Sequence, residues 1–136
     1  FKYKVFKVSQ PLTEYSMVMR ISEQYLIRAE ARAQMGKLSE AMADLDVLRS
    51  RAGLPSIQTK IPSPSTDNVL SAVEQERKVE LFSEWGHRWF DLKRWNKVDA
   101  VLAPLKPAWK ATASLYPIPQ SELANNSNLN PQNAGY

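Results

Sequence analysis

Apolar residues first recur at helical spacing in Ile21, Tyr25, Leu26, Ala29 and Ala33, a run that Gly36 ends. A second run places Leu38, Ala41, Met42, Leu45 and Leu48 on one face and closes on Arg49, Arg51 and Ala52 before Gly53-Leu54-Pro55. That ending is a helix stop: glycine takes the left-handed conformation, Leu54 folds back, Pro55 cannot extend the helix, and the arginines suit the negative end of its dipole. A third helix is predicted from about Asn68 to Glu84 or Trp85, capped by Asp67 or by a competing Ser71-x-x-Glu74 capping box. Gly86 breaks it, and a short fourth helix follows from His87 to Trp95. The pattern predicts a mainly all-α chain, divided into an N-terminal strand or extended arm over 1–19, a helix pair over 20–54, an exposed loop over 55–66, a helix-bend-helix over 67–96 and an irregular, turn-rich tail over 97–136. Phe1 to Val8 alternates aromatic and β-branched residues with lysines, which gives the arm its strand-like reading, and Pro55, Pro62 and Pro64 mark the loop as an exposed segment, a candidate partner-facing or variable one.

Two helices joined through a corner at Gly36 must lie antiparallel and share a seam. The spacing Gly36-x-x-x-Glu40-Ala41, with Ala29 on the facing helix, resembles the middle of a tetratricopeptide unit, in which small residues let the helices approach closely. One such unit cannot bury both of its faces.

The third helix carries an anomaly. Its apolar stripe begins with Val69 and Val73 but continues into Glu76, Arg77, Glu80 and Glu84, where a plain amphipathic helix would hold leucine or isoleucine. Glutamates at successive turns repel one another, so cations are expected nearby; Arg77, Arg88 and Arg94 are the sequence-level candidates, with Asp91 placed to meet Arg88 or Arg94. Glu76, Arg77, Glu80, Glu84, Arg88, Asp91 and Arg94 are therefore expected to form a structural ion-pair network between two helices. The competing reading is a glycosidase using Glu80 and Glu84, which requires a carboxylic acid of raised pKa. Arginines within a turn favour ionised carboxylates instead.

Composition narrows the chemistry further. A chain of 136 residues with 43% hydrophobic content suits one domain with a modest core. The absence of cysteine excludes disulfides, thiolate metal sites and a cysteine nucleophile. A net charge of +4 comes from basic and acidic residues interspersed along the chain, a solvated surface rather than a nucleic-acid face. His87 is the only histidine and the four glycines are isolated, so neither a metal centre, a catalytic residue nor a cofactor is predicted. Trp85, Trp89 and Leu92 read as a ladder along one buried helical face.

Five blocks together resemble the C-terminal region of the SusD/RagB family: Met19 to Ala31, Ala41 to Leu54, Glu76-Arg77-x-x-Glu80-Leu81-x-x-Glu84-Trp85-Gly86-His87-Arg88-Trp89-Phe90-Asp91-Leu92-Lys93-Arg94-Trp95, Leu115 to Leu123, and Asn128 to Tyr136. Ala134 departs from the proline usual in the last block, and Trp85 replaces a commonly short residue. The resemblance implies a non-enzymatic, surface-exposed outer-membrane lipoprotein that captures an oligosaccharide or other nutrient beside a SusC-like TonB-dependent transporter, on a scaffold of tetratricopeptide-like pairs. It implies a longer chain whose lipid anchor lies upstream and is the sole membrane attachment, with Tyr136 a natural end. In the alternative, this segment is an interaction scaffold that touches the transporter and no ligand. Ligand contacts are not assigned by the resemblance; Trp109 stands as the one candidate.

Overall fold

The computed structural model describes residues 17–136, so residues 1–16 of the strand or arm expected over 1–19 lie outside the described residues. The described residues are helical and contain no strand. The chain divides into two compact units, with the boundary between Trp85 and Gly86.

The first unit is built on α1 (Ile21–Gln34), α2 (Leu38–Arg51), a short α3 (Ile57–Lys60) and α4 (Thr66–Glu80). The corner between α1 and α2 is a Schellman turn: Gly36 has φ +73°, its amide donates to the Ala33 carbonyl, and the Lys37 amide donates to that of Arg32 at 2.8 Å. Gly53 closes α2 in the same way, with the Leu54 amide donating to the Arg49 carbonyl at 2.8 Å. Ala29, Ala33 and Ala41 are fully buried, so the backbones of α1 and α2 approach without large side chains between them. Leu26, Leu45, Val69 and Val73 fill the space where α1, α2 and α4 meet.

Three expectations change in this unit. The segment 55–66 is not wholly a loop: Ser56 caps α3 by accepting from the Gln58 amide, Asp46 accepts from the Ile57 amide at 2.6 Å, and Ile57 is buried in the core. The cap of α4 is Ser65, not Asp67 or Ser71. Asn68 takes the place of the usual glutamate in a capping box, accepting from the Ser65 amide at 2.8 Å while its own amide donates back to the Ser65 hydroxyl. Finally, α4 ends at Glu80 rather than Glu84 or Trp85. The Glu84 amide donates to the Leu81 carbonyl instead of continuing the ladder to Glu80, Leu81 turns into the core, and Ser83 adopts φ +57°.

The second unit begins with α5 (His87–Arg94) and α6 (Val98–Leu102), which pack together. The α5 terminus is again a Schellman turn, here with Asn96 at φ +54° in the glycine position. The tail expected to be irregular holds a 3₁₀ turn at Ala111–Ser114, α7 (Gln120–Asn125) and a second 3₁₀ turn at Ser127–Leu129. Side chains stitch this tail to itself. The Gln132 amide side chain accepts from the Ile118 amide at 2.7 Å and donates to the Ile118 carbonyl at 2.8 Å, mimicking a strand partner. Asn133 Nδ2 donates to the Tyr116 carbonyl at 2.7 Å, and the Tyr136 hydroxyl donates to the Leu115 carbonyl at 3.0 Å.

Leu45 lies at 0% exposure and Val47, two residues on, at 47%. Leu45→Ala is expected to cost about 2–5 kcal/mol in urea denaturation, because the surrounding helices cannot collapse onto the cavity. Val47→Ala is expected to cost less than about 0.5 kcal/mol.

Candidate functional site

Two features gather chemistry-bearing side chains, one in each unit. In the first unit, the acidic stripe of α4 is met by arginines from both of its neighbouring helices. Arg49, in the last turn of α2 and itself 4% exposed, pairs with Glu76 and donates Nε–H to the Pro55 carbonyl at 2.9 Å. Arg51 reaches Glu80 at 2.6 Å. Arg20, at the start of α1, donates to the Glu80 carboxylate at 2.9 Å and to Glu84 at 3.1 Å.

Arg20 also donates to the Glu80 main-chain carbonyl at 2.7 Å, the acceptor released where α4 stops. One guanidinium thus satisfies an orphan carbonyl and sits at the negative end of the helix dipole. Burial by itself would push the Glu80 carboxyl up, but the hydrogen bond and charge of Arg51 and the charge of Arg20 outweigh it and hold it below the usual carboxylate range.

A second cluster lies on the seam between α1 and α2. Asp44 is buried at 3% exposure, yet it accepts from Arg28 at 2.6 and 3.0 Å and from Arg32 at 2.6 Å. Desolvation raises its proton affinity, but the two guanidinium groups overcome that and leave it below its ordinary value. Neither Asp44 nor its partners was singled out from the sequence. A signal was present: Asp44 lies three residues after Ala41 and four before Leu48, on the face that packs, while Arg28 and Arg32 stand one turn apart on α1.

The sequence-level candidates are distributed as follows. Glu76, Glu80 and Glu84 meet Arg49, Arg51 and Arg20, cations the sequence reading did not nominate. Arg77 is buried on α4. Arg88, Asp91 and Arg94 all lie on α5 in the second unit, where Arg94 donates to the buried Asp91 at 2.9 Å. The Trp85, Trp89, Leu92 ladder does not form: α5 begins only at His87, and Trp85, at φ +39°, is 58% exposed with its indole N–H donated to the Met17 carbonyl. Leu92 is buried.

The second feature is an open cleft of about 270 Å³ within the second unit, lined by Trp109, Tyr136, Lys106, Lys110 and Thr112 among others. Trp109 is held firmly. Its indole N–H donates to Asp99 at 2.7 Å, and its ring meets Trp89 edge-on at 6.4 Å, while Trp89 in turn meets Tyr116 at 5.9 Å.

Comparisons with known proteins place these features in a family. The family model for SusD matches residues 6–114. Two SusD-like proteins of Formosa agariphila, P2 and P38, are similar to this chain. P2 is 38% identical over 128 residues, covering 87% of this chain and 25% of its own length. P38 is 31% identical over 110 residues, covering 76% and 22%. The crystal structure of a SusD-like protein from Bacteroides fragilis superposes with a TM-score of 0.68 at 24% identity, over 88% of this chain and 26% of that one, and so shares its fold. The chain spans about a quarter of the length of the relatives it matches.

Asp44 and Glu80 have folded-state pKa values below their ordinary ones, so their contribution to stability is present above the ordinary pKa and is lost as pH falls through the folded one. The urea midpoint is expected to hold steady from neutral pH to about pH 5 and then to decline. Asp44→Asn and Glu80→Gln should each lower the midpoint at neutral pH and make that decline shallower. A decline of unchanged steepness would show that these carboxylates are not what acid titrates.

Proposed function

The chain belongs to the SusD family, and from that premise we propose that it is part of a longer, non-catalytic binding protein that captures an oligosaccharide or similar nutrient at the outer membrane. The protein hands its ligand to a SusC-like TonB-dependent transporter, and a lipid anchor in an upstream segment holds it on the cell surface. The first unit serves chiefly as scaffold.

One observation carries the non-catalytic reading. The carboxylates that could have served as an acid–base pair are engaged by arginines, and Glu80 is held below the usual carboxylate range. A glycosidase needs one carboxyl kept protonated at working pH, which calls for burial without cationic partners. Here the balance runs the other way. The same arginines would have to leave before either glutamate could donate a proton, and their departure would uncover charge at the end of α4.

Isothermal calorimetry of the full-length protein against a panel of oligosaccharides, with chromatography of the mixtures afterwards, tests the proposal. Saturable binding with every saccharide recovered intact is expected. Shortened products that disappear in Glu80→Gln, while folding is kept, would overturn it.

A further inference from the structure

The cleft around Trp109 has the makings of a ligand subsite. Both aromatic residues that line it have their polar groups committed elsewhere: the Trp109 indole N–H goes to Asp99 and the Tyr136 hydroxyl to the Leu115 carbonyl. What they offer is ring surface. Trp109 is also fixed in orientation by its edge contact with Trp89, so no rotamer freedom is lost when something stacks on it. Gly135, at φ +97°, closes the cleft tightly, for a side chain there would collide with the Thr112 hydroxyl.

The polar part of the lining is cationic. Lys106 and Lys110 are exposed, form no ion pair among the described residues, and share the cleft with Thr112 and no acidic side chain. Sites for neutral sugars hold carboxylates and amides as acceptors for hydroxyl protons; this one supplies ring faces, ammonium donors and a hydroxyl. Its volume of about 270 Å³ lies just below the range of whole small-molecule clefts, roughly 300–1,000 Å³, which suits one subsite on a longer ligand.

We propose that the Trp109 cleft binds an anionic saccharide, a sugar ring bearing a carboxylate or sulfate stacked on Trp109 with its charge between Lys106 and Lys110. The inference rests on the binding reading above and adds to it a location and a charge. Trp109, the candidate named from sequence, supplies the platform; Lys106 and Lys110 supply the selectivity.

The test uses the full-length protein on an array of uronate-bearing, sulfated and neutral oligosaccharides, followed by calorimetry of its tightest ligand with Trp109→Ala and with the double variant Lys106→Gln, Lys110→Gln. The retained saccharides should be acidic. Trp109→Ala should weaken binding by about tenfold or more, the scale on which removing a stacking aromatic acts. The double variant, altered only at exposed side chains, should bind several-fold more weakly and lose most of its dependence on salt. Tight binding of neutral saccharides alone would overturn the inference and leave the binding function standing. Unchanged affinity in the double variant would overturn it too, whether or not Trp109→Ala folds. A wild-type protein that retains no saccharide would remove both.

Discussion

The first unit is organised around a problem that α4 creates for itself. A helix that places Glu76 and Glu80 along the continuation of its apolar stripe, with Glu84 in the turn just beyond its end, cannot be packed against anything until cations are brought to it. They arrive from opposite directions: Arg20 from the start of α1, Arg49 and Arg51 from the end of α2. Because a guanidinium fork bonds carboxylate in only a few geometries, these contacts fix where α4 sits along its neighbours, not merely that it sits there. Hydrophobic burial of Val69 and Val73 supplies attraction but little register, since apolar contacts are non-directional.

Such a lattice is not primarily a source of stability. Taking ions out of water costs several kcal/mol each, and a well-packed apolar replacement can be as stable or more so. Removing one partner is another matter, because it strands a charge. Arg49 shows the point: it is almost wholly buried, and its Nε–H and one terminal nitrogen are already committed to Pro55 and Glu76. Asp44, clamped by Arg28 and Arg32 on the seam between α1 and α2, repeats the arrangement with the signs reversed.

The helices were legible in the sequence because their signals are local. Gly36, Gly53 and Gly86 announce the corners, and the three-and-four spacing of Leu26, Ala29 and Ala33 or Ala41, Leu45 and Leu48 announces the buried faces. The charged stripe was legible as an anomaly, but Arg20, Arg49 and Arg51 as partners of its glutamates were not. Arg20 and Glu80 stand 60 residues apart and Arg51 and Glu80 stand 29 apart, so no helical projection brings them together. The aromatic ladder failed for a related reason. It assumed one continuous helical face through Trp85, whereas α4 ends at Glu80, whose freed carbonyl accepts from Arg20. The blocks that carry the family resemblance are, in this fold, two halves of the same contacts: Arg20, Arg49 and Arg51 from the first two meet glutamates of the third, and Gln132, Asn133 and Tyr136 of the last hold the Leu115 to Ile118 segment from the fourth.

A double-mutant cycle on Arg49 and Glu76 tests the lattice most directly, with Arg49→Met, Glu76→Gln and the pair compared by urea denaturation. If the two side chains depend on each other, the double variant should be more stable than the sum of the single losses by about 1–3 kcal/mol. Losses that add to within about 0.5 kcal/mol would contradict the lattice as the organiser of the unit and leave α4 held by its valines alone.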